Sequence, residues 1–173
     1  MGFCQVGTMG QTMACGLFSR FYLCLLALCT ISFLMHSVQA KNCPNGWLIF
    51  DDLCYGIFKT KLSWTEAEMA CQSFHQESHL VSILSEPEGR VLGHFLLDKS
   101  NQLGNVWIGL TDPNGSKKWT WSDMSPVAYM PWASGQPKNT QSGGSCVYLS
   151  PSRGYAEWGS ESCYLPMNYV CIL

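Results

Sequence analysis

Beyond residue 40 the chain carries six cysteines, at 43, 54, 71, 146, 163 and 171, and the run Trp107-Ile108-Gly109-Leu110 falls between the third and the fourth. An even set of thiols in a chain of this size points to an oxidising compartment and three disulfides, with no thiol left free. Zinc is a poorer use for them, because no C-x-x-C pair and no Cys/His knuckle is present. The other four cysteines, Cys4, Cys15, Cys24 and Cys29, all precede residue 40 and belong to a segment of a different kind.

That segment reads as a leader. Arg20 precedes an apolar run over 21–35, and Val38-Gln39-Ala40 follows with residues suited to a signal peptidase. The expectation is a signal peptide over 1–40, cleaved after Ala40. The segment before the apolar run is long, so Met13 is an alternative start. The competing reading is a type II membrane anchor, since the apolar stretch nears the roughly 20 residues of a span. The closeness of Cys43 to Ala40 leaves no stalk and favours cleavage. The expected mature form, residues 41–173, then has no membrane span. At about 130 residues it is long enough for one sizeable core and too short for two.

Net charge is −2 for the whole chain. No basic stripe marks a nucleic-acid surface, and no acidic run suggests mineral binding through dense carboxylates. No repeat or linker interrupts the domain.

Local patterns give two helices and several short strands. Trp47 to Phe50 and Leu53 to Phe58 read as a hairpin about Asp51-Asp52, which Cys43 and Cys54 would staple. Ser63 with Glu66 is a capping box opening a helix. On it Trp64, Ala67, Ala70, Cys71 and Phe74 recur on one face, so Cys71 points inward. Ser85 with Glu88 is a second box, with Pro87 tolerated in the first turn. Val91, Leu92, Phe95 and Leu96 form the buried stripe of that helix. After Gly104 the chain turns to strands at 107–110, 118–121, 146–149, 155–158 and 168–172, with turn chemistry at Asp112-Pro113-Asn114-Gly115. Residues 122–145 show no period, and a stretch of that length is expected to be a working loop. Helices first and strands after indicate an α+β fold.

Several residues invite a functional reading. His75 and His79 flank Glu77, but the spacing is wrong for a zinc helix, and a solvated loop is the expectation. Trp107, Trp119 and Trp121 are expected in the core or on a sheet face, and Trp132 and Trp158 beneath the loop. No strand–Ser elbow or carboxylate pair suggests an enzyme. Asn114-Gly115-Ser116 is a glycosylation sequon that also suits a plain hairpin turn.

These residues, in this order, resemble the C-type lectin-like domains, and the resemblance covers all of 41–173. Cys43-Pro44-Asn45-Gly46-Trp47 is similar to the N-terminal hairpin of the long form, and Trp107-Ile108-Gly109-Leu110 to the central core strand. Pro131-Trp132 and Gly135-Gln136-Pro137 are similar to the long sugar-binding loop. Within the family, the 63–68 helix start, Gln72-Ser73-Phe74 and the 79–84 segment most resemble the regenerating islet-derived (Reg) secreted lectins, with snake-venom lectins next. The resemblance implies two helices packed on small antiparallel sheets, with a long irregular loop. It also implies the bridges Cys43–Cys54, Cys71–Cys171 and Cys146–Cys163. Six cysteines allow fifteen connectivities. Closing about 100 residues with Cys71–Cys171 is worth roughly 4.7 kcal/mol in the chain-entropy model, which favours that pairing.

Relatives that bind sugar through calcium supply several charged oxygens, because calcium takes six to eight oxygen ligands. Here the matching loop reads Gln136-Pro137-Lys138, Gly144 replaces an acid, and Gly159 and Ser160 replace an Asn-Asp pair. Only Gln136 keeps a suitable oxygen. An auxiliary ion site would keep Asp112 but has Asn139 and Ser145 in place of acids. The expectation is no metal and no cofactor. The resemblance then implies sugar contact through two polar loops, Asp112, Pro113, Asn114, Gly115, Ser116 and Lys117, and Ser152, Arg153 and Gly154. The expected function is a secreted, calcium-independent carbohydrate-binding protein for microbial or mucosal polysaccharide. The alternative is a protein-recognition module for a cell-surface or plasma glycoprotein.

Overall fold

Asp51 and Asp52 both adopt positive φ, a region that Asp tolerates better than most side chains. They turn β1 (Leu48–Phe50) back onto β2 (Leu53–Leu62). The computed structural model describes residues 43–99, 101, 103–138 and 144–173. The expected leader over 1–40 and the auxiliary-site residue Asn139 lie outside them. Among the described residues no helix is long and apolar enough to cross a membrane.

Helix α1 (Trp64–Gln72) starts where the sequence places it. The Ser63 side chain accepts from the Glu66 amide, and the Glu66 carboxylate accepts from the Ser63 amide. Cys71 and Ala67 are fully buried. Phe74 departs from the expected stripe. The helix ends at Gln72, and Phe74 lies 55 % exposed against Trp47 and Phe58. Glu68 takes an inward place instead. Its carboxylate accepts from the Leu80 amide at 2.8 Å and from Gln72 Nε2 at 2.8 Å, and it meets His79 Nδ1. His79 is therefore not on a solvated loop. It opens β3 (His79–Leu80), a strand that no local pattern announced.

Helix α2 (Glu86–Asp98) is capped by Ser85, whose hydroxyl accepts from the Glu88 amide. The second capping box is only half formed. The Glu88 carboxylate turns into the core, where it accepts from Tyr55 and from the Leu84 amide.

The remaining elements are β4 (Val106–Asp112), β5 (Thr120–Trp121), β6 (Ser145–Leu149), a 3-10 turn (Pro151–Arg153), β7 (Trp158–Glu161) and β8 (Met167–Ile172). The strand expected over 155–158 begins only at Trp158. Tyr155 sits at φ 56°, off any extended path, with its ring buried and its hydroxyl donating to Gly104 O. The strands join into one sheet, in the order β1-β2-β8-β4-β6-β7, with β3 added to β8 and β5 to β4. Every pairing is antiparallel except β4 with β8.

The class is α+β, with two helices, an irregular 122–138 stretch and three disulfides. The bridges are Cys43–Cys54, Cys71–Cys171 and Cys146–Cys163. Trp107, Trp121 and Trp158 are among the largest fully buried side chains. Trp158 anchors the irregular loop. Its amide donates to Pro131 O, its carbonyl accepts from Ala133 N, and its ring meets Tyr129 and Trp132 edge-on.

Candidate functional site

Strand β4 ends at Asp112, and the turn beyond it is built on that one carboxylate. Oδ1 accepts from the Ser116 amide at 3.0 Å and Oδ2 from the Lys117 amide at 2.7 Å. Gly115 closes the turn at φ 64°, its amide donating to Asp112 O. The carboxylate is 3 % exposed, so it shapes the loop rather than facing solvent. Pro113, Asn114, Gly115, Ser116 and Lys117 are all exposed above it.

This turn forms one wall of a cavity of about 430 Å³, and Pro137 and Lys138 form the other. The size suits a small-molecule site. Asp112, Gly115, Lys117, Trp119 and Ser145 complete the lining. Trp119 is thus more than a sheet-face residue: it packs against Trp132 at 4.9 Å between ring centres and presents aromatic surface to the cavity.

The other expected loop stands apart. Ser152, Arg153 and Gly154 belong to the 3-10 turn and its cap, and none of them lines this cavity. Gly154 O approaches the position a side chain would take on Gly93, so the turn packs on α2. Arg153 keeps one buried guanidinium nitrogen without a hydrogen-bond partner.

The loop that would hold calcium is tied to the protein itself. Gln136 Oε1 accepts from three donors: the Ser160 amide at 2.9 Å, the Ser160 hydroxyl at 3.1 Å and the Lys138 amide at 3.1 Å. The Lys138 amide also donates to Ser160 Oγ at 2.8 Å. Lys138 Nζ reaches across to Glu161 Oε2 at 2.9 Å. The bond to Glu161 holds the Lys138 ammonium above the usual lysine range. In turn, the bond from Lys138 holds the Glu161 carboxyl below the usual carboxylate range.

Space is closed as well as charge. Gly159 lies directly opposite Tyr148 across β6 and β7. A Cβ on Gly159 would stand 2.5 Å from Tyr148 Cζ. Gly144, at φ 81°, would bring a Cβ within 2.7 Å of Pro113 O. Gln136, Lys138, Gly144, Gly159 and Ser160 therefore do not fit a calcium ion. The one suitable oxygen is already used, an ammonium faces the site, and Gly144 has neither the backbone conformation nor the room for a ligand side chain. Among the described residues no group of His, Cys, Asp and Glu is placed to hold a metal.

The partner of Lys138 was not apparent from the sequence. Glu161 follows directly on the Trp158-Gly159-Ser160 triplet, but only the β6–β7 register shows that it faces the loop.

A two-helix fold whose long loop docks on a buried tryptophan, closed by these three bridges, defines a lectin-type domain. The family model described as "Lectin C-type domain" matches residues 60–172, and the chain belongs to that family. A C-type lectin mannose-binding isoform of Oxyuranus scutellatus is 36% identical over 152 residues, which is 88% of this chain and 96% of the relative. Human lithostathine, a Reg-type neighbour, superposes with a TM-score of 0.72 at 32% identity, over 79% of this chain and 94% of its own. A calcium-independent type II antifreeze protein superposes at 0.64 with 26% identity, over 76% and 94%.

Proposed function

We propose that the protein is a secreted, calcium-independent carbohydrate-binding lectin rather than an enzyme, and that its ligands are microbial or mucosal glycans. One observation carries the reading: the cavity between the 112–117 turn and Pro137-Lys138. It combines an aromatic wall, Trp119, with polar rims, and its loop is tied to β7 through the bonds of Lys138 to Glu161 and of Gln136 to Ser160. Hydroxyl-rich ligands suit such a site, with ring faces on an aromatic surface and hydroxyls on polar groups. The mannose-binding description of the venom relative supports sugar as the ligand class. Within the family the reading is a Reg-type lectin nearest the fourth Reg member. Lithostathine supports the Reg branch, while the venom lectin is the more similar in sequence.

Cleavage after Ala40 and use of the Asn114 sequon are part of this proposal. Asn114 is exposed. A glycan there would crowd the cavity, because its neighbour Gly115 is in the lining.

A second reading is protein recognition. Tyr164 is 81 % and its neighbour Leu165 43 % exposed, and adjacent apolar groups on one turn suit a protein partner such as a cell-surface or plasma glycoprotein.

A glycan array run with and without EDTA, paired with calcium calorimetry, tests the reading. The expected result is a glycan signal indifferent to EDTA and no micromolar calcium binding. Loss of the signal in EDTA overturns calcium independence. A blank array under both conditions overturns sugar binding in favour of protein recognition.

A further inference from the structure

We infer that Lys138 and Glu161 are positioning residues: their ion pair cross-links the irregular loop to β7 and holds the Pro137-Lys138 wall of the cavity in place. The claim concerns how the wall is held and needs no bound sugar.

Three observations carry it. The first is reach. Lys138 Nζ and Glu161 Oε2 stand 2.9 Å apart at a sequence separation of 23, so the contact closes the loop onto the sheet edge. The second is convergence. The Lys138 amide and the Ser160 amide both donate to Gln136 Oε1, and the Lys138 amide also donates to Ser160 Oγ. Backbone and side chain of Lys138 are therefore tied to adjacent residues of one strand. The third is placement. Pro137 and Lys138 are themselves lining residues of the cavity, so a shift of the cross-link is a shift of the wall.

A cross-link of this kind differs from an ion in three respects. It is present whenever the chain is folded, it is weakened by salt, and it depends on opposite charge rather than on an oxygen count. Tyr148 and Arg153 are the other titratable groups within electrostatic reach of Lys138. Arg153 opposes its charge, so the pair with Glu161 is the attractive contact that matters.

Amide hydrogen exchange on the full protein, without ligand, tests the inference. Lys138→Met should speed exchange at the amides of residues 138 and 160 by about two- to fivefold, the span of an exposed ion pair. Exchange at Ile108 and Val147 in the core should stay unchanged. The double exchange Lys138→Glu with Glu161→Lys should return both loop amides to within about twofold of the parent, whereas each single reversal should not. High salt should move the parent protein, but not Lys138→Met, toward faster exchange.

Unaltered loop exchange in Lys138→Met overturns the inference. So does failure of the double exchange to restore protection in a folded protein. Faster exchange spread evenly through the core also overturns it, because it reports global stability and not a local tie. A blank glycan array has no bearing on any of these readouts, so failure of the lectin reading and failure of the cross-link are distinguishable.

Discussion

The Tyr55 hydroxyl donates to Glu88 Oε1 at 2.7 Å inside the core, joining β2 to α2 across 33 residues of sequence. The other carboxylate oxygen accepts from the Leu84 amide at 2.8 Å. Burial, reinforced by Glu88, pushes the Tyr55 phenol far above the usual tyrosine range, so it stays a donor at any physiological pH. A carboxylate in the interior persists only when its oxygens are met.

Tyr55→Phe should therefore cost about 1.5–3 kcal/mol, the worth of a hydrogen bond to a charged group. Urea unfolding checks this through a lower midpoint at unchanged slope. A loss below about 0.5 kcal/mol would mean that water replaces the phenol.

Loss of the Cys71–Cys171 bridge should cost on the order of 2–5 kcal/mol, as for native bridges in small secreted domains. The bridge spans 100 residues and both of its cysteines are fully buried. A paired Cys71→Ala, Cys171→Ala variant compared in thermal unfolding gives the number. Non-reducing peptide mapping of the parent should recover all three bridges.

Substitutions at the turn should separate the two candidate loops. Asp112→Ala removes the acceptor for the Ser116 and Lys117 amides, so glycan affinity should fall by about tenfold or more. Trp119→Ala should weaken binding through loss of the aromatic wall. Arg153→Ala lies outside the cavity and should leave affinity at this site within about twofold, given the ordinary scatter of distant changes. Titration of a soluble glycan against the three variants decides. Equal losses for Asp112→Ala and Arg153→Ala would point to two sites of similar weight.

The Lys138–Glu161 tie should fail in acid. Glu161 has a folded pKa below its ordinary value of 4.5, chiefly because of the bond from Lys138. A depressed carboxyl contributes stability that is present above the unfolded value and is lost as pH falls through the folded one. Protection at residue 160 should therefore decline below about pH 4.5, and Glu161→Gln should remove that pH dependence. Amide exchange in a pH series checks it, and identical profiles for parent and variant would refute the assignment.

What the sequence disclosed is chemistry that acts over a few residues. The Ser63–Glu66 box, the Asp51-Asp52 turn, the inward face of Cys71 and the absence of acids at Lys138 and Gly144 all read directly from neighbours. What it hid depends on which strand lies beside which. β3 at His79–Leu80 exists because β8 offers an edge, not because two residues prefer extended backbone. Glu88 looked like a capping residue because its spacing from Ser85 fits, but Tyr55 on a distant strand outcompetes the cap. Phe74 looked like core because helical spacing was carried past Gln72, where the helix stops. Strand β7 was expected three residues early because Tyr155 looks like strand but adopts a left-handed turn. Trp119 and Glu161 gained roles only when the sheet brought 112–117, 136–138 and 158–161 to one end.

The Cys71–Cys171 bridge encloses most of the domain, including both candidate loops and the irregular stretch that docks on Trp158. A peptide bond broken once between those cysteines leaves two pieces still covalently joined. The irregular 122–138 stretch can thus be nicked by a protease without releasing either fragment. Such damage is invisible on a non-reducing gel and appears as two bands only after the bridges are reduced. That makes the covalent frame a safeguard of connectivity as well as of folding stability.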